Sequence, residues 1–236
     1  MTSIAIVDFC RTRVCHGFAI ALLLALTLVL SSGVAQAAPL NMIPLPPDVT
    51  SSFLSVSYDA TTRVFTATGF ATTVDLDGLA PPDYAIDGGF GGYSLTAVID
   101  NDRKATGTIT ITGTVAAAGF NSGTLLTGDV NIWGFLDGGG EIFEFGFGVT
   151  GGDLAPLFPQ GTYVRGGTII SAVNSGFDGV GVGPSTPPSN SFANDGFSGF
   201  SDTFAVPEPS TYAMMGLGAA ALIGLGIRRR RQRRQA

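Results

Sequence analysis

"EIFEFGFGVT", residues Glu141–Thr150, alternates with a period of two: Phe143, Phe145, Phe147 and Val149 share one face, and Glu144, Gly146 and Gly148 the other. Successive side chains of a strand point to opposite sides of a sheet, whereas a helix repeats its apolar positions every three or four residues, so the stretch reads as a strand with one buried face. The same reading extends outward. "FLSVSYDATTRVFTATGF" (Phe53–Phe70) places Leu54, Val56 and Tyr58 together, turns around Asp59 to Thr62, and resumes at Val64 as a hairpin. "YSLTAVID" aligns Tyr93, Leu95, Ala97 and Ile99, and "GTITITGTV" aligns Ile109, Ile111 and Val115 against a row of Thr. "TGDVNIWGFL" is ambiguous, with Val130, Ile132 and Leu136 on one side and Trp133 and Phe135 on the other; it reads as a strand buried on both faces or as an aromatic patch. No helical period appears between Ser52 and Val173. Short strands separated by Gly, Asn and Asp turns predict an all-β fold, an antiparallel β-sandwich or jelly-roll-like domain over residues 38–173.

Beyond Val173 the composition changes. "NSGFDGVGVGPSTPPSNSFANDGFSGFSDTFA" (Asn174–Ala205) is Gly, Ser, Asn and Pro with isolated Phe and no sustained period, and it is expected to be a flexible linker.

The chain carries 12 basic and 18 acidic residues, a net charge of −6. The charge is segregated. Arg228, Arg229, Arg230, Arg231, Arg233 and Arg234 crowd the C-terminal end, and between the two apolar terminal blocks the basic side chains are Arg63, Arg103, Lys104 and Arg165. So acidic a middle repels phosphate backbones, and no nucleic-acid partner is expected.

The N-terminal stretch reads as a secretory signal peptide over residues 1–37. Arg11 and Arg13 precede an apolar run, Phe18–Leu30, and Ala35 and Ala37 supply the small-x-small site for cleavage after Ala37. Cys10, Cys15 and His16 all lie within it. The exported part is thereby expected to hold no thiol and no imidazole, which removes disulfides, Cys nucleophiles, Ser-His-Asp catalysis and His-bound zinc from consideration.

The tail is "VPEPSTYAMMGLGAAALIGLGIRRRRQRR" (Val206–Arg234). Pro207 and Pro209 hold the chain extended around Glu208. The uncharged run Tyr212–Ile227, as a helix rising ~1.5 Å per residue, is about 24 Å long, enough to cross a bilayer with help from its flanks. The arginines after it would stop transfer and remain in the cytoplasm. This order of parts resembles the PEP-CTERM sorting signal of Gram-negative, exopolysaccharide-producing bacteria. The resemblance implies recognition by an exosortase, with Val206, Pro207, Glu208 and Pro209 as the recognised residues and the apolar run as a transient membrane anchor. It also implies an exported protein whose precursor is held at the inner membrane before reaching the cell surface or extracellular matrix. A structural or adhesive role with exopolysaccharide as partner follows as the expectation, and the sorting signal is a substrate's address rather than a catalytic site.

The body offers carboxylates as its acid/base groups. Glu141 and Glu144 are three apart and point to opposite faces of a strand, so they make no pair for glycoside hydrolysis. Asp75 and Asp77 share a face in "VDLDG", and Asp87, Asp100 and Asp102 fall at strand ends, where turns favour Asp. No enzyme activity and no cofactor are expected. Calcium is the ion that such turns can take, with no ligand set assigned. A carbohydrate-binding module is the alternative, with Trp133, Tyr93 or Tyr163 as stacking platforms, and a polysaccharide-processing hydrolase, which would need two opposed carboxylates in a cleft, ranks behind it.

Overall fold

The computed structural model describes residues 40–79, 83–135, 141–159, 165–177 and 186–206. Ten strands run through them: β1 (Leu45–Asp59), β2 (Val64–Asp75), β3 (Tyr84–Ala85), β4 (Gly91–Ile99), β5 (Lys104–Thr112), β6 (Thr124–Phe135), β7 (Ile142–Gly151), β8 (Gly166–Ser171), β9 (Phe192–Ala193) and β10 (Gly199–Ala205). Every pairing is antiparallel. Eight strands follow one another around the sheet as β2-β4-β5-β6-β7-β8-β10-β1, and β1 also pairs with β2, so the sheet closes on itself. The architecture is an eight-stranded, largely up-and-down barrel, with β3 added beside β2 and β9 beside β1. All-β character and antiparallel pairing agree with the sequence. The expected sandwich or jelly roll does not form, because strands adjacent in sequence pair with each other and β10 joins β8 to β1, leaving one closed sheet rather than two stacked ones.

The second departure concerns residues 174–205. Gly199–Ala205 is not part of a linker: its residues pair with Ser171–Gly166 on one side and with β1 on the other. Asn194 adds a lock, accepting Val56 N–H at 2.8 Å and donating to the Leu54 carbonyl at 2.8 Å. Without this segment the barrel would have two open edges.

An eight-stranded barrel has an interior that side chains fill. Here alternate residues of each strand supply it, including Leu54, Phe65, Leu95, Ile109, Phe143, Phe145 and Phe147, all fully buried. A bulge between Val130 and Ile132 shifts the register of β6 against β7 by one residue, so that Trp133 and Phe135 turn inward along with Val130. That bulge resolves the ambiguity of this strand.

The two ends of the barrel differ. The β1–β2 and β4–β5 turns and the long β8–β10 connection lie at one end. There Phe192 stacks on Phe143 (5.1 Å between ring centres) and Tyr58 (5.5 Å), and Phe177 packs against Phe143 and Phe192 (5.0 Å each), forming an aromatic plug. At the other end the chain enters at Leu45 and leaves at Ala205, which are paired partners. Deeper in, hydroxyls replace hydrocarbon: Tyr93 Oη meets Thr168 Oγ1 at 3.1 Å, and Thr203 Oγ1 donates to the same atom at 2.9 Å. Burial pushes the Tyr93 phenol up to about 12. Among the described residues the only helical turns are two of 3-10 type, Ala116–Ala118 and Ala155–Leu157, and no helix is long and apolar enough to cross a membrane.

Candidate functional site

The features with chemical consequence lie along the outer wall and at the end of the barrel where the chain enters and leaves. Residues 40–44 lie along the outer wall of the barrel. Leu40 packs over Gly134 and Met42 over Gly167, where a β-carbon would stand 2.9 Å from Leu40 Cγ and 2.6 Å from Met42 Sδ respectively. Beneath this strap lies Glu144, 2 % exposed. Its Oε2 accepts the Leu40 N–H. Burial raises its pKa, opposed by the N–H groups of Leu40, Met42 and Asn41 and by the positive charge of Arg103. Glu144 does point outward from the barrel, as its alternation predicts, yet it is an anchor for the strap and not a solvated carboxylate.

The exit is equally close to the fold. Val206 N–H donates to the Arg165 carbonyl at 3.0 Å, immediately after the last residue of β10. One residue therefore separates the barrel wall from Pro207. Pro207, Glu208, Pro209, the apolar run 212–227 and the arginines from Arg228 to Arg234 lie outside the described residues, as do Ala35, Ala37, the signal peptide over 1–37 and Tyr163.

Three carboxylates meet at this same end. Asp48 is directly opposite Asp75 across β1 and β2, and Asp202 projects from β10 on the outer face. Burial, then Asp202 and Asp75, push the Asp48 carboxyl up to about 6. Burial and Asp75 also raise Asp202. Asp75, Asp77 and Asp83 bring carboxylate oxygens within 4.8 Å of one another, the hard-oxygen chemistry a calcium ion requires. These carboxylates are also used within the chain, since Asp75 accepts N–H groups from Asp77 and Gly78, Asp77 from Leu79, and Asp83 from Leu76. Only Asp75 and Asp77 stood out in the sequence. Asp48 and Asp202 sit on strands joined by barrel closure, and nothing local marks them.

The remaining sequence candidates serve the fold. Glu141 accepts N–H groups from Asn174 and Gly176 and the Ser175 hydroxyl, fastening the start of the β8–β10 connection. Asp87 accepts Ala116 N–H, and Asp100 pairs with Arg63 at 3.0 Å. Asp102 has φ of 59° in the β4–β5 turn. Trp133 is 2 % exposed, stacks on Phe135, and donates through Nε1 to the Asp100 carbonyl at 3.0 Å. Trp133 and Tyr93 are thus interior residues with no face to offer a sugar. A hollow of about 50 Å³ at the plugged end, bordered by Phe177, Pro188 and Phe192, is far smaller than the ~300 Å³ at which ligand pockets begin.

Fold and junction together define a barrel whose closing strand runs straight into a processing segment. Residues 205–231 match the family described as "PEP-CTERM protein-sorting motif". The chain therefore carries that motif, which marks an exported protein targeted to an exosortase through a membrane-anchored precursor. No curated protein and no solved structure matches the chain.

Proposed function

We propose that this chain is an exported, exosortase-processed barrel that ends on the cell surface or in the extracellular matrix of a Gram-negative bacterium, structural or adhesive in association with exopolysaccharide. The observation that carries the reading is the sorting motif at residues 205–231, fused to the strand that closes the barrel. Cleavage after Ala37 frees the entry strand, and Tyr212–Ile227 with its arginines holds the precursor until the enzyme acts at Pro207–Pro209. Because the motif begins at the last residue of β10 and one residue lies between the wall and Pro207, the enzyme works at the rim of a folded barrel, without a stalk. Processing beyond Ala205 leaves all of β10 in place, so the released barrel keeps its closure. We read the body as non-catalytic, since Asp75, Asp77, Asp87, Asp100 and Glu141 accept backbone N–H groups and Glu144 holds the strap.

Intact mass and terminal peptide mapping of the protein from its producing cell, beside a strain lacking the exosortase, test this. The expected wild-type product begins near Ala38 and ends near Pro207–Pro209, with the arginine tail kept in the other strain. A full tail in both strains refutes the sorting reading.

A further inference from the structure

The outer wall carries a cluster of exposed aromatic rings that the sorting reading does not use. Ser52 of β1 is flanked across the sheet by Phe70 of β2 and Phe200 of β10. Phe90 packs on Phe70 with ring centres 5.5 Å apart, and Phe53 follows Ser52 in the chain. Phe53, Phe70, Phe90 and Phe200 are 54 %, 45 %, 59 % and 54 % exposed. Phe53 is the extra residue of a bulge that shifts the register of β1 against both neighbours, and its φ is 57°, a left-handed conformation that a bulky residue rarely adopts. The neighbouring strands are shaped around it. A β-carbon at Gly69 would sit 2.8 Å from the Phe53 carbonyl oxygen, and one at Gly199 2.8 Å from that of Leu54. Three strands are thus built to hold the bulge and to present a ring outward.

The surroundings say what such rings would meet. The next cross-strand row toward the plugged end is Ser55, Thr68, Ser94 and Thr110, hydroxyls without charge. On the other side Asp202, two residues beyond Phe200 on the same face of β10, places a carboxylate. With a negative group at its edge and no cation, the patch disfavours anionic polymers and anionic lipid surfaces. Its area also decides against a second copy of the chain. Four half-exposed rings offer about 400 Å², about half of the ~800 Å² per partner of a stable protein interface. Aromatic faces beside a neutral hydroxyl bed suit a ligand with apolar C–H faces and many hydroxyls.

We propose that the face around Phe53, Phe70, Phe90 and Phe200 is a binding site for a neutral glycan chain. This deepens the matrix-association reading above and supplies the contact through which it would operate. The test is affinity electrophoresis of the processed protein through gels holding dissolved hydroxyethyl cellulose, a neutral galactomannan or anionic alginate. Retardation is expected by a neutral polymer and not by alginate. The double variant F70S/F200S should weaken it by about tenfold, while V98S, at an exposed apolar position away from the patch, should leave it unchanged. Phe53→Gly separates binding from folding: it removes a ring and relieves the left-handed backbone, so retention should fall while the melting temperature holds or rises. Absence of retardation by both neutral polymers, equal retardation of all variants, or loss of self-association or of phosphatidylcholine-vesicle binding in F70S/F200S instead would overturn the assignment. Terminal mapping scores the sorting reading independently: normal processing without glycan retention sinks only this site, and retention by an unprocessed chain sinks only the sorting.

Discussion

Asp48→Asn should stabilise the barrel at neutral pH and lose that advantage in acid. Asp48 faces Asp75 across two strands, with Asp202 beside them. Its carboxyl is pushed from 3.8 to about 6, first by burial and then by the two other carboxylates. A group whose folded pKa is raised contributes stability that is complete below pH 3.8 and lost as the pH climbs through about 6. Taken in full, the displacement is worth ~3 kcal/mol. Asp48 is only half-buried, solvent screens the repulsion, and about 1 kcal/mol is the expected effect. Urea unfolding, followed by the emission of the single tryptophan, would be measured in EDTA so that no divalent cation neutralises the trio. By about pH 7.5 the variant should exceed wild type by ~1 kcal/mol, and by about pH 4 the two should converge. A variant less stable than wild type at neutral pH, or a gain that does not change with pH, would show that the three carboxylates do not repel one another as the geometry requires.

Phe192→Ala should cost ~3 kcal/mol by removing the ring stacked on Phe143 and Tyr58; a linker residue would cost nothing, so denaturant midpoints tell the two apart. Gly199→Ala should destabilise by ~2 kcal/mol, because the added carbon meets two backbone oxygens, Leu54 at 2.8 Å and Ser171 at 2.9 Å, that cannot rotate away; an unchanged melting temperature would contradict the bulge. Trp133→Phe should cost ~2 kcal/mol, through lost packing and the Asp100 carbonyl left without its donor. In the wild type the indole should resist acrylamide quenching until the chain unfolds, and ready quenching of the folded protein would place Trp133 on the surface.

The strands of the body were legible because their alternation was simple. Tyr93, Leu95, Ala97 and Ile99, Ile109 and Ile111, and Phe143, Phe145, Phe147 and Val149 all face the interior as their period requires. The pattern inverts at β10. Ser201 and Thr203 face inward, into the hydroxyl cluster around Tyr93, whereas Phe204 is buried on the outer side, under Met42 beside Gly167. A strand that turns polar residues inward, in a Gly- and Ser-rich context, looks like a linker. Trp133 was obscured differently: the bulge after Val130 changed which side of β6 faced inward, and that bulge is defined only by pairing with β7.

By itself the sequence determined two things about this protein, that its body is antiparallel β and that its end is a sorting signal. Both are written in contiguous residues, as a period of two and as an ordered run of Pro-Glu-Pro, apolar segment and arginines. Closure, the burial of Trp133 and Glu144, the carboxylate trio and the aromatic face were decided only by tertiary structure. Each depends on neighbours that only chain pairing supplies, β10 beside β1 for closure, for Asp202 and for Phe200, β6 against β7 for Trp133, and the strap of residues 40–44 for Glu144, and no local pattern encodes which strand edges find each other.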